Sequence, residues 1–294
     1  INAFTNSILA REKLNINSKN LNLLIRQVEN DKIRRDRGQI TNTDVAQSEA
    51  SLAGAQAQFA KSKSDLLISK LNYENIIGKM DNPNTLKKSS NAIVNIPKTL
   101  SEAVNLSKKN NPDILIAKLD LEMSEKDISI AESDLKPTAS VSLEKSYTDD
   151  LSSTIGERDK DILKAAVSWP FYSGGKKKYK ISKNTNLTTR KRLLLDHTVR
   201  TNETNVASAW SSLQSSKSFL NSVKVQLKSS QIANEGIAAE YERGSRTTLD
   251  VIQSNSLLLS AQLSLVNSER DYLMAQYNLL KAVGLLNSQY LKLK

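Results

Sequence analysis

The sequence predicts a mainly α-helical protein that carries one β-hairpin, with the helices arranged as long coiled-coil hairpins. The 294 residues include only 9 glycines and 5 prolines, which favours long uninterrupted helices. Near both ends of the chain, apolar side chains recur every seven residues, as in a left-handed coiled coil. A central stretch changes to a period of two, which is the pattern of β-strands.

The composition speaks against an enzyme. The chain has no Cys and a single His, His197, so disulfides, zinc–thiolate sites and thiol catalysis are excluded and the usual general base is missing. We interpret His197 as a solvated helix residue. Because no set of residues has the spacing of a catalytic site, we expect neither an enzymatic activity nor a cofactor or bound metal.

The charge suggests partners of two kinds. A net charge of +11 favours nucleic acid or an anionic membrane surface. No apolar run approaches the roughly 20 residues that a membrane-spanning helix needs. Strands of a membrane barrel stay open as an alternative, because they need only about 9–11 alternating residues.

An internal repeat organises the chain. A shift of 206 positions places residues 37–78 on residues 243–284 without a gap, and 15 of these 42 positions are identical. A period this long is not that of a solenoid, so each copy is one large structural unit. The same shift places Ile1 on Ala207, inside the second unit. We therefore expect the chain to be a fragment that lacks the start of the first repeat.

The heptads form three neighbouring stripes in the second copy. Two are apolar, and they begin at Val251 and Ile252. The third holds small side chains, which let neighbouring helices approach closely: Ser254, Ala261, Ser268, Ala275 and Ala282. The first copy has the apolar stripe Val45, Leu52, Phe59, Leu66 and Tyr73.

Each repeat is predicted to end in a long helical hairpin. A stretch without proline runs from about Lys176 to Arg243, which corresponds to roughly 100 Å of helix. Gly38 and Gly244 lie where each long helix should end, at the position after the C-cap where glycine is favoured.

Between the hairpins the sequence changes character. A polar linker at 81–97 is followed by Thr99 and Glu102, a capping-box signature, and Asn111-Pro112 starts a helix that should run to about Lys136. Two alternating strands follow, separated by a predicted polar loop at 149–161, with Trp169 and Phe171 in the second strand. The periodicity fits a transmembrane hairpin and a soluble hairpin on the helices equally well.

These features divide the chain into five segments. They are a first helical hairpin at 1–80, an equatorial linker with short helices at 81–136, a β-hairpin at 137–173, a second helical hairpin at 174–286 and a tail at 287–294.

Several motifs, in the same order, resemble the TolC family of outer-membrane efflux ducts. Glu102-Ala103, Asn111-Pro112 and Ala131…Pro137 are similar to the family's signature before the first strand of a pair. The run from Trp169 to Gly175 resembles its strand exit, and residues 280–285 its closing pattern. The segments that begin at Gly38 and Gly244 resemble the two hairpin tips.

The resemblance implies a homotrimer in the cell outer membrane of a Gram-negative bacterium, with most of the chain in the periplasm. Each subunit would give four strands to a 12-stranded outer-membrane β-barrel and four long helices to an α-barrel tunnel. The implied function is a passive export conduit of a tripartite efflux or type I secretion system. Its implied partners are outer-membrane lipid, a periplasmic adaptor and an inner-membrane pump of the RND or ABC type.

The resemblance also assigns roles to single residues. The expected latch of the periplasmic gate comprises Thr43, Asp44, Tyr241 and Arg246. The pore constriction falls on Asp250 and Gln253, where Gln253 replaces a second carboxylate and should weaken the field that attracts cations. Two further sets are the adaptor-docking tips Gly38 and Gly244 and the membrane-interface aromatics Trp169, Phe171 and Tyr172.

The main alternative is a soluble coiled-coil structural or filament protein. It accounts for the heptads and for the lack of Cys, but not for the strand pair or the repeat. A nucleic-acid binder is not expected, because the aromatic residues lie in helical stripes or strands instead of among the basic residues.

Overall fold

A computed structural model describes residues 1–79, 86, 96–152 and 155–287. The elements in chain order are α1 (Asn2–Asp36), α2 (Asn42–Ile76), α3 (Leu100–Asn110), α4 (Pro112–Ser133), β1 (Thr138–Ser152), β2 (Ile155–Ser168), α5 (Lys176–Glu242) and α6 (Thr248–Val283). The prediction of a mainly helical chain with one β-hairpin is confirmed. Most of the predicted linker at 81–97, and all of the predicted tail after residue 287, lie outside the described residues.

The chain divides into two compact units. The first comprises the described residues of 1–104 and 205–294, and the second comprises residues 105–204. The 67-residue helix α5 contributes residues to both units. Within the described part of the chain, no helix is both long enough and apolar enough to cross a membrane.

In the first unit, α1 packs along α2 and also contacts α6. A stripe of small residues is buried at equivalent positions of α2 and α6 in the two copies: Ser48, Ala55, Ser62 and Ser69, and Ser254, Ala261, Ser268 and Ala275. Three of the buried serine hydroxyls bond locally: those of Ser62, Ser69 and Ser268 each donate to the carbonyl three residues earlier, at 2.8 Å. Small side chains of the predicted stripe are therefore buried in the helix packing.

In the second unit, α3, α4 and α5 meet at a buried amide network. The Asn111 side chain caps α4 ahead of Pro112, and its Nδ2 donates to Asn202 Oδ1 at 2.9 Å. Asn202 Nδ2 in turn donates to Ser107 Oγ at 2.8 Å. The predicted helix start at Asn111-Pro112 is confirmed, and α4 ends at Ser133, three residues before the predicted end.

The β-hairpin is longer than predicted. β1 and β2 pair antiparallel, with Leu143 opposite Leu163 and Asp149 opposite Glu157. The expectation of a polar loop at 149–161 is wrong, because most of this stretch is paired strand. Residues 149–161 are mostly polar, so the sequence loses its alternation there while backbone hydrogen bonds continue the pairing.

The second strand ends earlier than predicted. β2 stops at Ser168, so Trp169 and Phe171 follow the strand instead of lying in it. Pro170 cannot donate a backbone hydrogen bond to a partner strand, and the Phe171 N–H turns back to the Trp169 carbonyl at 3.0 Å.

Candidate functional site: the hairpin tips

The two hairpin tips of the first unit have the same backbone geometry. Gly38 and Gly244 have positive φ angles of 71° and 81°, a region that favours glycine. At each tip the glycine N–H and the next N–H bond back to the last helical turn, at 2.8 and 2.9 Å after α1 and at 2.9 and 2.9 Å after α5. The repeat detected in the sequence is therefore also present in the structure, where the two tips form equivalent backbone hydrogen bonds.

Asp44 and Asp250 cap the helices that follow the tips. Asp44 Oδ2 accepts hydrogen bonds from the Thr41 backbone N–H at 2.9 Å and from the Thr41 hydroxyl at 2.7 Å. Asp250 Oδ2 makes the equivalent bonds to Thr247 at 3.0 and 2.8 Å. These bonds to the Thr247 backbone and hydroxyl lower the pKa of Asp250, and the charge of Arg246 adds to the effect. Each carboxylate thus has a local role in starting its helix.

Within the chain, Arg246 is paired with a residue of its own hairpin. Its Nε donates to Glu240 Oε2 at 2.7 Å, and this pairing raises the pKa of the guanidinium. Arg246 and Thr43 are exposed. Among the contacts of the described residues, none joins Arg246 to Asp44, so the predicted latch between them stays a prediction about the assembled protein.

Tyr241 has a buried partner that the sequence analysis did not assign. Its hydroxyl donates to Asp31 Oδ1 at 2.6 Å and lies 3.2 Å from Thr248 Oγ1. The Arg34 guanidinium stacks on the tyrosine ring, 4.2 Å from its centroid. Burial and the hydrogen bond to Asp31 raise the pKa of Tyr241.

A signal for Asp31 was present in the heptad pattern. Asp31 closes a stripe of buried residues on α1 that are spaced by seven: Ala3, Ala10, Asn17, Leu24 and Asp31. A carboxylate at a core position of a coiled coil needs hydrogen-bond donors, so it marks a specific contact. The sequence pattern could not show which donors those are.

The other predicted site residues are accessible. Gln253 is exposed and Asp250 is half-buried, one helical turn apart on α6, and Gly38 and Gly244 are exposed at the tips. In the second unit, the predicted interface aromatics Trp169, Phe171 and Tyr172 are exposed just after β2. Trp169 Nε1 donates to the Leu135 carbonyl at 3.3 Å.

Comparisons with known proteins point in one direction. The family model for "Outer membrane efflux protein" matches residues 103–285. The outer membrane efflux protein BepC of Brucella suis is 28% identical over 280 residues, which cover 95% of this chain and 61% of BepC. The outer membrane protein TolC of Vibrio cholerae is 24% identical over 279 residues, covering 90% of this chain and 62% of that protein. The chain thus spans about three fifths of the length of these relatives.

Solved structures show the same fold at low sequence identity. VceC of Vibrio cholerae matches 96% of the chain with a TM-score of 0.73 and 19% identity, and the match covers 68% of VceC. CusC matches the same share of the chain with a TM-score of 0.78 and 17% identity, covering 66% of CusC. The family match extends over more than half of the described fold, including both strands and the second hairpin, and the chain belongs to the outer membrane efflux protein family.

Proposed function

We propose that the protein is a passive duct through which small toxic molecules or secreted proteins leave a Gram-negative cell, as part of a tripartite efflux or type I secretion system. The family match and the names of the relatives support an efflux duct in the outer membrane. The duct itself is proposed not to be an enzyme and to need no cofactor, because energy comes from its partners.

The observation that carries the proposal is the apolar face of the β-hairpin. Three successive cross-strand pairs on one face are apolar: Ala139–Val167, Val141–Ala165 and Leu143–Leu163. Leu143 is 78% exposed and Leu163 is 74% exposed. The opposite face holds mainly polar residues, such as Ser142 opposite Lys164. A hairpin with one apolar and one polar face suits a wall between lipid and an aqueous lumen.

The proposed assembly is a homotrimer with 12 strands, four from each subunit. The duct would be joined through a periplasmic adaptor to an inner-membrane pump of the RND or ABC type. Gly38 and Gly244 are proposed docking points for the adaptor, because both turns are exposed and backbone there can be approached closely.

The proposed gate lies at the hairpin tips. We place its latch on Thr43, Asp44, Tyr241 and Arg246, with Arg246 exchanging Glu240 for Asp44 when the tips meet in the closed trimer. Two features support such an exchange: Arg246 is exposed, and solvent-exposed ion pairs such as Arg246–Glu240 are weak and replaceable.

The test is the single-channel conductance of the intact protein in planar bilayers. Arg246→Ala should raise the conductance, because Asp44 loses its cationic partner in the closed state. Arg243→Ala is the matched control, since Arg243 is another exposed arginine of the same tip, and it should leave the conductance unchanged. Equal conductance for the wild type and Arg246→Ala would remove the latch, and absence of any channel would refute the duct.

A further inference from the structure

A buried carboxylate lies near the tips, where the first hairpin meets the second. Asp31 on α1 is fully buried. Its Oδ1 accepts hydrogen bonds from Tyr241 Oη at 2.6 Å and from Gln27 Nε2 at 3.0 Å. Its Oδ2 accepts from Ser48 Oγ and, at 3.1 Å, from the same Gln27 amide. The donors therefore come from three helices, namely α1, α2 and α5.

The carboxylate is satisfied by neutral donors alone. Among the described residues, no Lys, Arg or His forms an ion pair with Asp31. Gln27, Ser48 and Tyr241 each direct a hydrogen at its oxygens, an arrangement that suits an ionised acceptor. A buried charge without a cation depends on every such bond, so the loss of one donor is costly.

Tyr241 is held by contacts on several sides. The single hydroxyl hydrogen of Tyr241 is directed at Asp31, so the contact to Thr248 is one in which Thr248 donates. On the other side, Arg34 stacks on the ring and its Nη1 donates to the Tyr241 carbonyl at 3.2 Å. Asp31 and Arg34, one turn apart on α1, thus hold the same residue of α5.

The repeat provides an internal comparison. The shift of 206 places Ser48 on Ser254, which is also buried, but it places Asp31 on Ile237. Ser254 Oγ accepts from Asn234 Nδ2 at 3.0 Å, a bond between α5 and α6 of one hairpin. The network around Asp31 differs because its Tyr241 bond joins the two hairpins to each other.

We propose that Asp31 is the positioning residue of the gate: its carboxylate fixes Tyr241, and with it the tip of the second hairpin, against the first hairpin of the same subunit. Opening requires the Asp31–Tyr241 bond to break. The partner of Tyr241 in the latch is then Asp31 instead of Asp44. This inference rests on the proposed duct function.

The experiment uses Tyr241→Phe and Asp31→Asn in the intact protein, singly and together. Tyr241→Phe removes one hydrogen bond and keeps the ring under Arg34, and Asp31→Asn removes the charge at nearly constant size. Each should raise the single-channel conductance several-fold, and the double variant should add little, because both changes break the same contact. Ser254→Ala is the matched control, since it removes a buried serine hydroxyl at the repeat position without touching the contact between hairpins.

Two further measurements separate the possible outcomes. Thermal unfolding shows whether a variant merely destabilises the fold, and hydrogen exchange of residues 34–44 and 240–250 reports opening of the tips without requiring conduction. Faster exchange at both tips in Tyr241→Phe, but not in Ser254→Ala, supports the inference. A lower melting temperature with unchanged conductance and unchanged tip exchange overturns it. If neither the wild type nor any variant conducts, the duct proposal fails. Hydrogen exchange at the two tips then still shows whether Asp31 holds Tyr241 in place.

Discussion

At the hairpin tips, a single residue can have both a structural role and a proposed role in the gate. Asp44 and Asp250 start α2 and α6 through the same capping box, and Asp44 is also a proposed latch residue. A substitution of Asp44 therefore disturbs a helix start as well as any contact between tips. Arg246 has no part in a cap, which makes it the cleaner probe of the latch.

At Gln253, we expect a change of ion preference. Gln253 is exposed on α6 one turn after Asp250, so Gln253→Asp should add a second ring of carboxylates to a trimeric constriction. The reversal potential in a salt gradient should shift towards stronger cation preference, and multivalent cations should block more. Gln253→Asn is the neutral control. An unaltered reversal potential in Gln253→Asp would show that this position does not face the lumen.

Among the elements, the β-hairpin combines an apolar band with a charged end. Beyond Leu143, the same face carries Lys145, whose Nζ lies 3.9 Å from Asp159 Oδ2 and 3.9 Å from Asp161 Oδ1. Charged side chains are costly in hydrocarbon and favourable in water or among headgroups. The face therefore changes from apolar to charged along the strands, which suggests where the apolar band ends.

The two faces of the hairpin should respond differently to charge. Leu143→Arg places a cation on the apolar face and should cost about 2–4 kcal/mol near the bilayer midplane. Ser142→Arg places the same side chain on the opposite face and should be tolerated. The measurement is the yield of folded protein in the outer-membrane fraction. Equal losses for both variants would contradict a lipid-facing role for Leu143.

At the scale of the whole molecule, the two copies of the repeat are covered unequally. On α6, Leu273 and Met274 are half-buried, and Met274 Sδ accepts from Thr5 of α1. The equivalent residues of α2, Leu67 and Ile68, are 58% and 53% exposed. In a symmetric trimer the two repeats would have equivalent neighbours. The exposed apolar patch of α2 at Leu67 and Ile68 is therefore a candidate contact for the next subunit.

This asymmetry predicts the effect of a double substitution on assembly. Leu67→Glu with Leu71→Glu should weaken the trimer, because both side chains are exposed and apolar in the single chain and would be buried between subunits. Native mass spectrometry in detergent measures the trimer fraction. Lys61→Glu, at an exposed position on another face of the same helix, is the control. A trimer that survives the double substitution would place the subunit contact elsewhere.

Much of the fold was accessible from the sequence because its determinants are local. Heptads predicted the helices, Gly38 and Gly244 predicted the tips, where both glycines have positive φ in the structure, and Asn111-Pro112 predicted a helix start. The length of the strands was underestimated at 149–161, because a mostly polar strand has no clear period-two signal. The residues assigned to the gate were chosen by resemblance, and resemblance did not include Asp31.

The sequence by itself determined where the two hairpin tips lie, where α4 begins, that the chain is duplicated, and that a stripe of small residues belongs to the helix packing. These properties depend on spacing along one segment. Only the tertiary structure decided that Tyr241 bonds to Asp31, that Arg246 pairs with Glu240, and that α1 packs along α2 and also contacts α6. The partner of a buried polar group depends on which helices pack together at its position. Tyr241 and Asp31 are 210 positions apart, so the periodicity of neither segment indicates their contact.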